Sequence, residues 1–154
     1  MRLGIGSRTY PWAVGLPDSA PPPQPMTAWR LIGRAAALGL HVVQICDNLP
    51  LDRLSVGALP TLAEQASRHG IHLEVGTRGL TIPHLRVQVR LAEKIGAELL
   101  RVAIDTTDHH PTKDEVLRLL GETLPECEQI GVPLGSFVEL GVQAMQGIDE
   151  ELGL

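Results

Sequence analysis

The sequence predicts an α/β fold built as a run of βα units whose strands lie parallel in one sheet. Three observations lead there. Short apolar stretches rich in β-branched residues alternate with longer amphipathic ones. Gly39, Gly70, Gly96 and Gly131 each close an amphipathic stretch and lead into an apolar one, as helix-terminating glycines do. Polar residues recur at the carboxyl end of each apolar stretch.

The first unit starts with a short strand, Leu3-Gly4-Ile5-Gly6, followed by Ser7 to Trp12. A GxG after a strand suggests a dinucleotide fingerprint only if a helix opens directly on the glycines. Here Pro11 and an extended Gly/Pro loop from Gly15 to Pro25 intervene. Thr27 is a candidate N-cap, and Leu31, Ile32, Ala35, Ala36 and Leu38 form one helical stripe. Gly39 ends that helix, His41 to Ile45 is the second strand, and Asp47-Asn48 is its polar end.

Pro60 stands where a helix can start, with Leu59, Leu62, Ala63 and Ala66 directed inward. Gly70 stops it; Ile71 to Val75 is the third strand and Gly76-Thr77-Arg78-Gly79 its polar end. The next helix runs from about Pro83 to Ile95, with Leu85, Val89, Ala92 and Ile95 on one face. After Gly96, Leu99 to Ile104 is the fourth strand, and Asp105, Asp108, His109 and His110 lie beyond it. Thr112 and Glu115 have capping-box spacing. Val116, Leu117, Leu120, Leu124 and Cys127 are the expected buried stripe of the last helix, and Val132 to Val138 is a fifth strand.

Helices of this length between strands imply βαβ units and parallel pairing. The missing glycine turn before a helix, together with polar strand ends, favours barrel-type units over a dinucleotide-binding sheet. A closed barrel needs eight strands. The expectation is therefore a partial TIM-barrel-like (β/α) repeat of about five parallel strands, each followed by a helix. Residues 1–154 make a single domain, with regular units over 1–131 and a divergent fifth strand and tail over 132–154.

Composition narrows the function. The chain is 44% hydrophobic and 20% charged with a net charge of −5, which suits a soluble globular protein. No Lys/Arg block marks a nucleic-acid surface. No apolar run reaches the roughly 20 residues of a membrane helix, and the first apolar run is too short for a secretory signal. Cys46 and Cys127 are the only cysteines and read as reduced thiols in a cytoplasmic protein.

Several stretches resemble the xylose-isomerase-like sugar phosphate isomerase/epimerase family, the AP-endonuclease-2-like TIM barrels. Leu3 to Ser7 with Tyr10 and Trp12 is similar to that family's first strand and loop. Ala37 to Ile45 with Asp47 to Leu51 is similar to its second, Gly70 to Gly79 to its third, and Ala92 with Gly96-Ala97 and Leu100 to Val102 to its fourth. The resemblance covers about residues 1–131. It implies proton transfer next to a carbonyl, assisted by a divalent metal (Mn, Mg, Co or Zn) held by acids from the later strands. The first of those acids ends strand five. Phe137 stands at that position here, and Glu139, on the same strand face, is the remaining candidate catalytic and metal-holding acid. The family's strands six to eight have no counterpart in this sequence, which reads as the first half of such an enzyme.

The resemblance makes a small carbohydrate the expected ligand. Asp47 and Asn48 either bind its hydroxyls or form an Asx turn. Arg78, between two glycines, either grips an anionic group or is a solvated loop arginine. Tyr10 and Trp12 form an apolar wall over a sugar or anchor their loop. Asp105 and His109 belong to the cluster richest in ligating groups, although four donors in one loop do not make a preformed site. Glu74 with Arg101 reads as a structural ion pair, and His41 and His72 as structural residues at strand starts. The alternative to an enzyme is a non-catalytic half-barrel that forms a homo-oligomer through its open sheet edges.

Overall fold

A computed structural model describes residues 2–15 and 20–137. Five strands form one parallel sheet in the order β1-β2-β3-β4-β5. They are β1 (Gly4–Gly6), β2 (Val42–Cys46), β3 (His72–Arg78), β4 (Leu99–Ala103) and β5 (Leu134–Phe137). Between them lie α1 (Pro11–Val14), α2 (Ala28–Ala37), α3 (Ala58–Arg68), α4 (Ile82–Ile95) and α5 (Lys113–Ile130). The strands follow one another across the sheet in chain order. A doubly wound sheet reverses direction at its first strand, whereas a barrel adds each strand beside the last. This is therefore a partial barrel.

The core lies between the sheet and the helices. Alternate strand residues, Val43, Ile45, Leu73, Val75, Leu100 and Val102, point into it. They meet Leu31, Ile32 and Ala35 of α2, Leu62 of α3, and Leu85, Val89, Ala92 and Ile95 of α4, in the same cluster of buried residues. Gly39, Gly70, Gly96 and Gly131 all follow helices with φ between 62° and 70°. That left-handed geometry turns the chain out of each helix and into the next strand. Thr112 caps α5 in a full capping box with Glu115.

Several expectations are corrected. Leu38 is the residue capping the C-terminus of α2 and is half exposed. On α5, Leu117 and Leu124 are exposed, while Leu119, Thr123 and Cys127 are buried. Strand β3 runs on through Gly76, Thr77 and Arg78 instead of ending at Val75. The segment after β1 forms a 3-10 turn (Ser7–Thr9) and the short α1, so β1 is not followed by a full helix until α2. Val138 and the tail lie outside the described residues.

Candidate functional site

Strand parity sets up the site. Because the core takes Ile45, Val75 and Val102, their neighbours Cys46, Gly76 and Arg101 point to the opposite face. Register then aligns them: Cys46 lies beside Gly76, Gly76 beside Arg101, and Arg78 beside Ala103 one row further along. These rows line a cavity of about 220 Å³ at the carboxyl ends of β2, β3 and β4. Arg8, Gln44, Asp47, Arg78 and Arg101 supply its polar wall.

Arg8 reaches the cavity from the 3-10 turn after β1. Its Nε and Nη2 both donate to Asp47 Oδ1, at 3.1 and 2.5 Å. The turn is fixed from beneath by Ser7, which is fully buried. Its hydroxyl accepts from the Cys46 backbone N–H at 2.9 Å and donates to Asn48 Oδ1 at 2.5 Å. Asn48 Nδ2 donates back to the Ser7 carbonyl at 3.1 Å. Both ends of the Asn48 amide thus tie the turn after β1 to the end of β2.

Below the rim, Gln44 Nε2 donates to Glu74 Oε2 at 3.0 Å, and the Cys46 thiol faces Gln44 Oε1 at 3.5 Å. Burial pushes the Cys46 thiol above its usual range, opposed by its contact with Ser7, so it stays a neutral thiol near pH 7. Gly76 is packed against this pair: a Cβ there would come within 2.7 Å of Cys46 Sγ. A second cavity of about 190 Å³ shares Cys46, Asp47 and Gly76 and extends to His84 of α4. His84 Nε2 is 2.7 Å from the Thr77 hydroxyl.

Of the residues singled out from the sequence, Asp47 and Arg78 meet in the main cavity. Asn48 is placed in the frame beneath it, its amide bonded to Ser7. The Tyr10 and Trp12 rings meet at a 59° tilt with centroids 5.6 Å apart, Trp12 is 63% exposed, and neither lines the cavity. Asp105 pairs with His110 at 3.2 Å, and the His109 carbonyl accepts from the Thr106 N–H at 2.9 Å, closing that loop on itself away from the cavity lining. Glu139 lies outside the described residues. Two of the cavity's three arginines, Arg8 and Arg101, were not singled out as site residues. Arg101 carried a signal: a charged residue at the inward parity of a barrel strand, flanked by Leu100 and Val102.

Among the described residues, no group of three or more His, Cys, Asp or Glu side chains converges as a metal site. At the cavity Asp47 is engaged by Arg8, and one row below it Glu74 accepts a hydrogen bond from Gln44. These donors do not fit a divalent ion. No helix of the described residues is long and apolar enough to cross a membrane.

Sheet order, parallel units and a rim cavity define part of a TIM barrel. The comparisons agree with that fold, and the chain resembles xylose-isomerase-like proteins. It is 34% identical over 135 residues to a 3-oxo-isoapionate decarboxylase of Pectobacterium atrosepticum, covering 88% of this chain and 48% of that protein. Among solved structures, D-psicose 3-epimerase in the presence of D-fructose superposes with a TM-score of 0.64 at 15% identity, over 87% of this chain and 51% of that one. The zinc-bound IOLI protein superposes with a TM-score of 0.62 at 16% identity, over 88% and 51%. L-Ribulose 3-epimerase gives 0.61 at 17%, over 86% and 48%. The chain spans about half the length of each. No family model matches the sequence.

Proposed function

We propose that the chain carries the substrate-holding side of a sugar isomerase- or epimerase-like site, acting on a small carbohydrate by proton transfer next to a carbonyl. The observation that carries this reading is the polar cavity at the carboxyl ends of β2 to β4, where barrel enzymes assemble their sites. The similar proteins are named for carbohydrate chemistry, which supports the same class. The described residues bind and orient: Asp47 accepts hydrogen bonds, the arginines donate them, and Gln44 with Cys46 shapes the floor. Glu139 is the acid this reading assigns to a divalent metal, and zinc in a structural neighbour supports including a metal in the reading. Two buried free thiols, Cys46 and Cys127, favour a reducing, cytoplasmic setting.

Saturation-transfer NMR with a panel of ketoses and sugar acids tests the binding step. Transfer to at least one sugar, lost in Asp47→Ala, is the expected result; no transfer to any of them refutes it. Metal analysis tests the remainder, because a stoichiometric ion lost in Glu139→Gln is expected if Glu139 holds it.

One observation favours a second reading, a non-catalytic half-barrel that self-associates. Among the described residues β1 and β5 each pair on one side only, and Val42, Gln44, Glu74 and Leu99 are only partly buried on the face opposite the helices. Such edges and faces invite pairing with a second copy. Light scattering that shows a monodisperse monomer at micromolar concentration contradicts it.

A further inference from the structure

We propose that α5 carries a self-association surface: the flank formed by Lys113, Leu117, Leu124 and Glu128 pairs antiparallel with the same flank of a second copy of the chain. The proposal takes the self-association reading above and gives it a surface other than the sheet edges and the open face.

Orientation comes first. Arg86 Nε donates to Glu126 Oε1 at 2.7 Å, which marks the side of α5 that faces α4. At 3.6 residues per turn, Leu124 lies roughly 160° around the helix from Glu126, and Leu117 roughly 180°. Leu119, Thr123 and Cys127 take the buried side between them. Leu117 and Leu124 are 60% and 41% exposed. A single exposed leucine needs no explanation. These two stand above one another on the flank turned away from α4. Beside Leu124 the flank continues into a groove with Val132, Pro133 and Leu134 in its lining. That groove borders β5, which pairs on one side only among the described residues.

Charge says what covers this flank. Lys113 and Glu128 lie at its two ends, in the first and last turns of α5. Each is at the wrong end for the helix itself, because an N-terminal end favours anions and a C-terminal end cations. Among the described residues neither has an ion-pair partner, whereas Arg118 and Glu122 pair with each other at 2.8 Å. Within one helix Lys113 and Glu128 are about 22 Å apart at 1.5 Å per residue, too far to meet. A twofold axis passing between Leu120 and Gly121 brings them together. Residues equally far from that axis then face each other across two antiparallel helices. Lys113 meets Glu128 of the second copy, Leu117 meets its Leu124, and symmetry repeats both contacts. The leucines make an apolar centre and the ion pairs a polar rim. A parallel arrangement would set like charge against like, so the flank selects one orientation of its own copy.

Sedimentation equilibrium of the whole chain, from micromolar concentration upward, is the test. The expected result is a monomer–dimer equilibrium. Lys113→Glu and Glu128→Lys each weaken it about tenfold or more by setting like charges together. Both substitutions improve the match to the helix dipole, so circular dichroism should show each variant folded. The double variant Lys113→Glu/Glu128→Lys returns close to the wild type, because the exchanged charges can meet only between copies. Leu117→Ala and Leu124→Ala weaken the dimer by a similar factor, since each removes an apolar contact twice. A monomer at every concentration overturns this surface and the self-association reading together; if that monomer also loses stability to urea in Leu117→Ala, the chain's own residues cover the flank. A dimer of unchanged strength in the leucine variants and the single reversals overturns this surface and leaves the self-association reading standing. A double variant no tighter than the single reversals overturns the antiparallel pairing.

Discussion

Adding one methyl group at Gly76 tests the packing beneath the site. An alanine Cβ there falls 2.7 Å from Cys46 Sγ and 3.2 Å from Gln44 Oε1. Non-bonded heavy atoms settle at about 3.5–4.0 Å, so the sulfur must retreat by roughly 1 Å. Cys46 has little room to do so, since it is 9% exposed and its backbone N–H is held by Ser7. Overpacking of this kind costs about 1–3 kcal/mol. Replacing Gly by Ala also restricts the unfolded chain, which offsets roughly 0.4–1 kcal/mol. The expected net loss for Gly76→Ala is about 1–2 kcal/mol. Cys46→Ala removes the obstructing sulfur and leaves the flexible end of the Gln44 amide, at 3.2 Å, as the next neighbour of the new methyl. In that background Gly76→Ala should cost nothing measurable, giving a coupling of about 1–2 kcal/mol in the double-mutant cycle. Urea denaturation followed by circular dichroism reads all four proteins. If the two single costs add to within about 0.5 kcal/mol, the Gly76–Cys46 contact is not what demands glycine here.

The framework yields further tests. Ser7→Ala leaves the Cys46 N–H and Asn48 Oδ1 without their shared buried partner; the expected loss is about 1–3 kcal/mol in the same assay. Gly121 is inside α5, and a Cβ there would meet nothing within 4 Å. Gly121→Ala should therefore raise stability by about 0.5–1 kcal/mol. At the amino ends of the strands Glu98 pairs with His72 and, at 2.9 Å, with Arg2. His72 first, and Arg2 after it, hold the Glu98 carboxyl below its usual range. A depressed folded pKa contributes stability above the unfolded value of about 4.3, and that contribution disappears as pH falls through the folded value. The stability gap between the wild type and Glu98→Gln should thus be present at about pH 6 and smaller at about pH 3. A gap of the same size at both pH values refutes the linkage.

How much of this was readable from the sequence depended on how local the cause was. Glycines 39, 70, 96 and 131 stop helices through their own backbone conformation, and the Thr112–Glu115 box spans one turn, so both were legible. The α4 stripe was legible because its apolar residues fit a single face. On α5 the spacing of Leu117, Leu120 and Leu124 competes with that of Leu119, Thr123 and Cys127. Propensity cannot choose between two apolar faces; packing against α4 selects the second. The end of β3 was hidden for another reason. Gly76, Thr77 and Arg78 have the composition of a loop, yet they pair with Arg101, Val102 and Ala103. A strand whose one face borders a polar cavity loses the apolar signature by which strands are recognised.

The cavity itself depends on strand order, which no single segment encodes. Arg78 was visible because it stands at the end of an apolar run between two glycines. Arg8 and Arg101 are 93 positions apart and look like ordinary charged residues. They line the same wall only because β2, β3 and β4 are laid down side by side with Cys46, Gly76 and Arg101 in one row. Had the chain reversed after its first strands, as a doubly wound sheet does, β4 would lie across β1 from β3, and Arg101 could not share a row with Gly76. The positive wall is thus a consequence of barrel order combined with period-two alternation: the same parity that sends Leu100 and Val102 into the core sends Arg101 out to the site. A change that shifted β4 by one residue would bury that guanidinium and expose two core residues. The register that stabilises the fold therefore also holds the arginines in place.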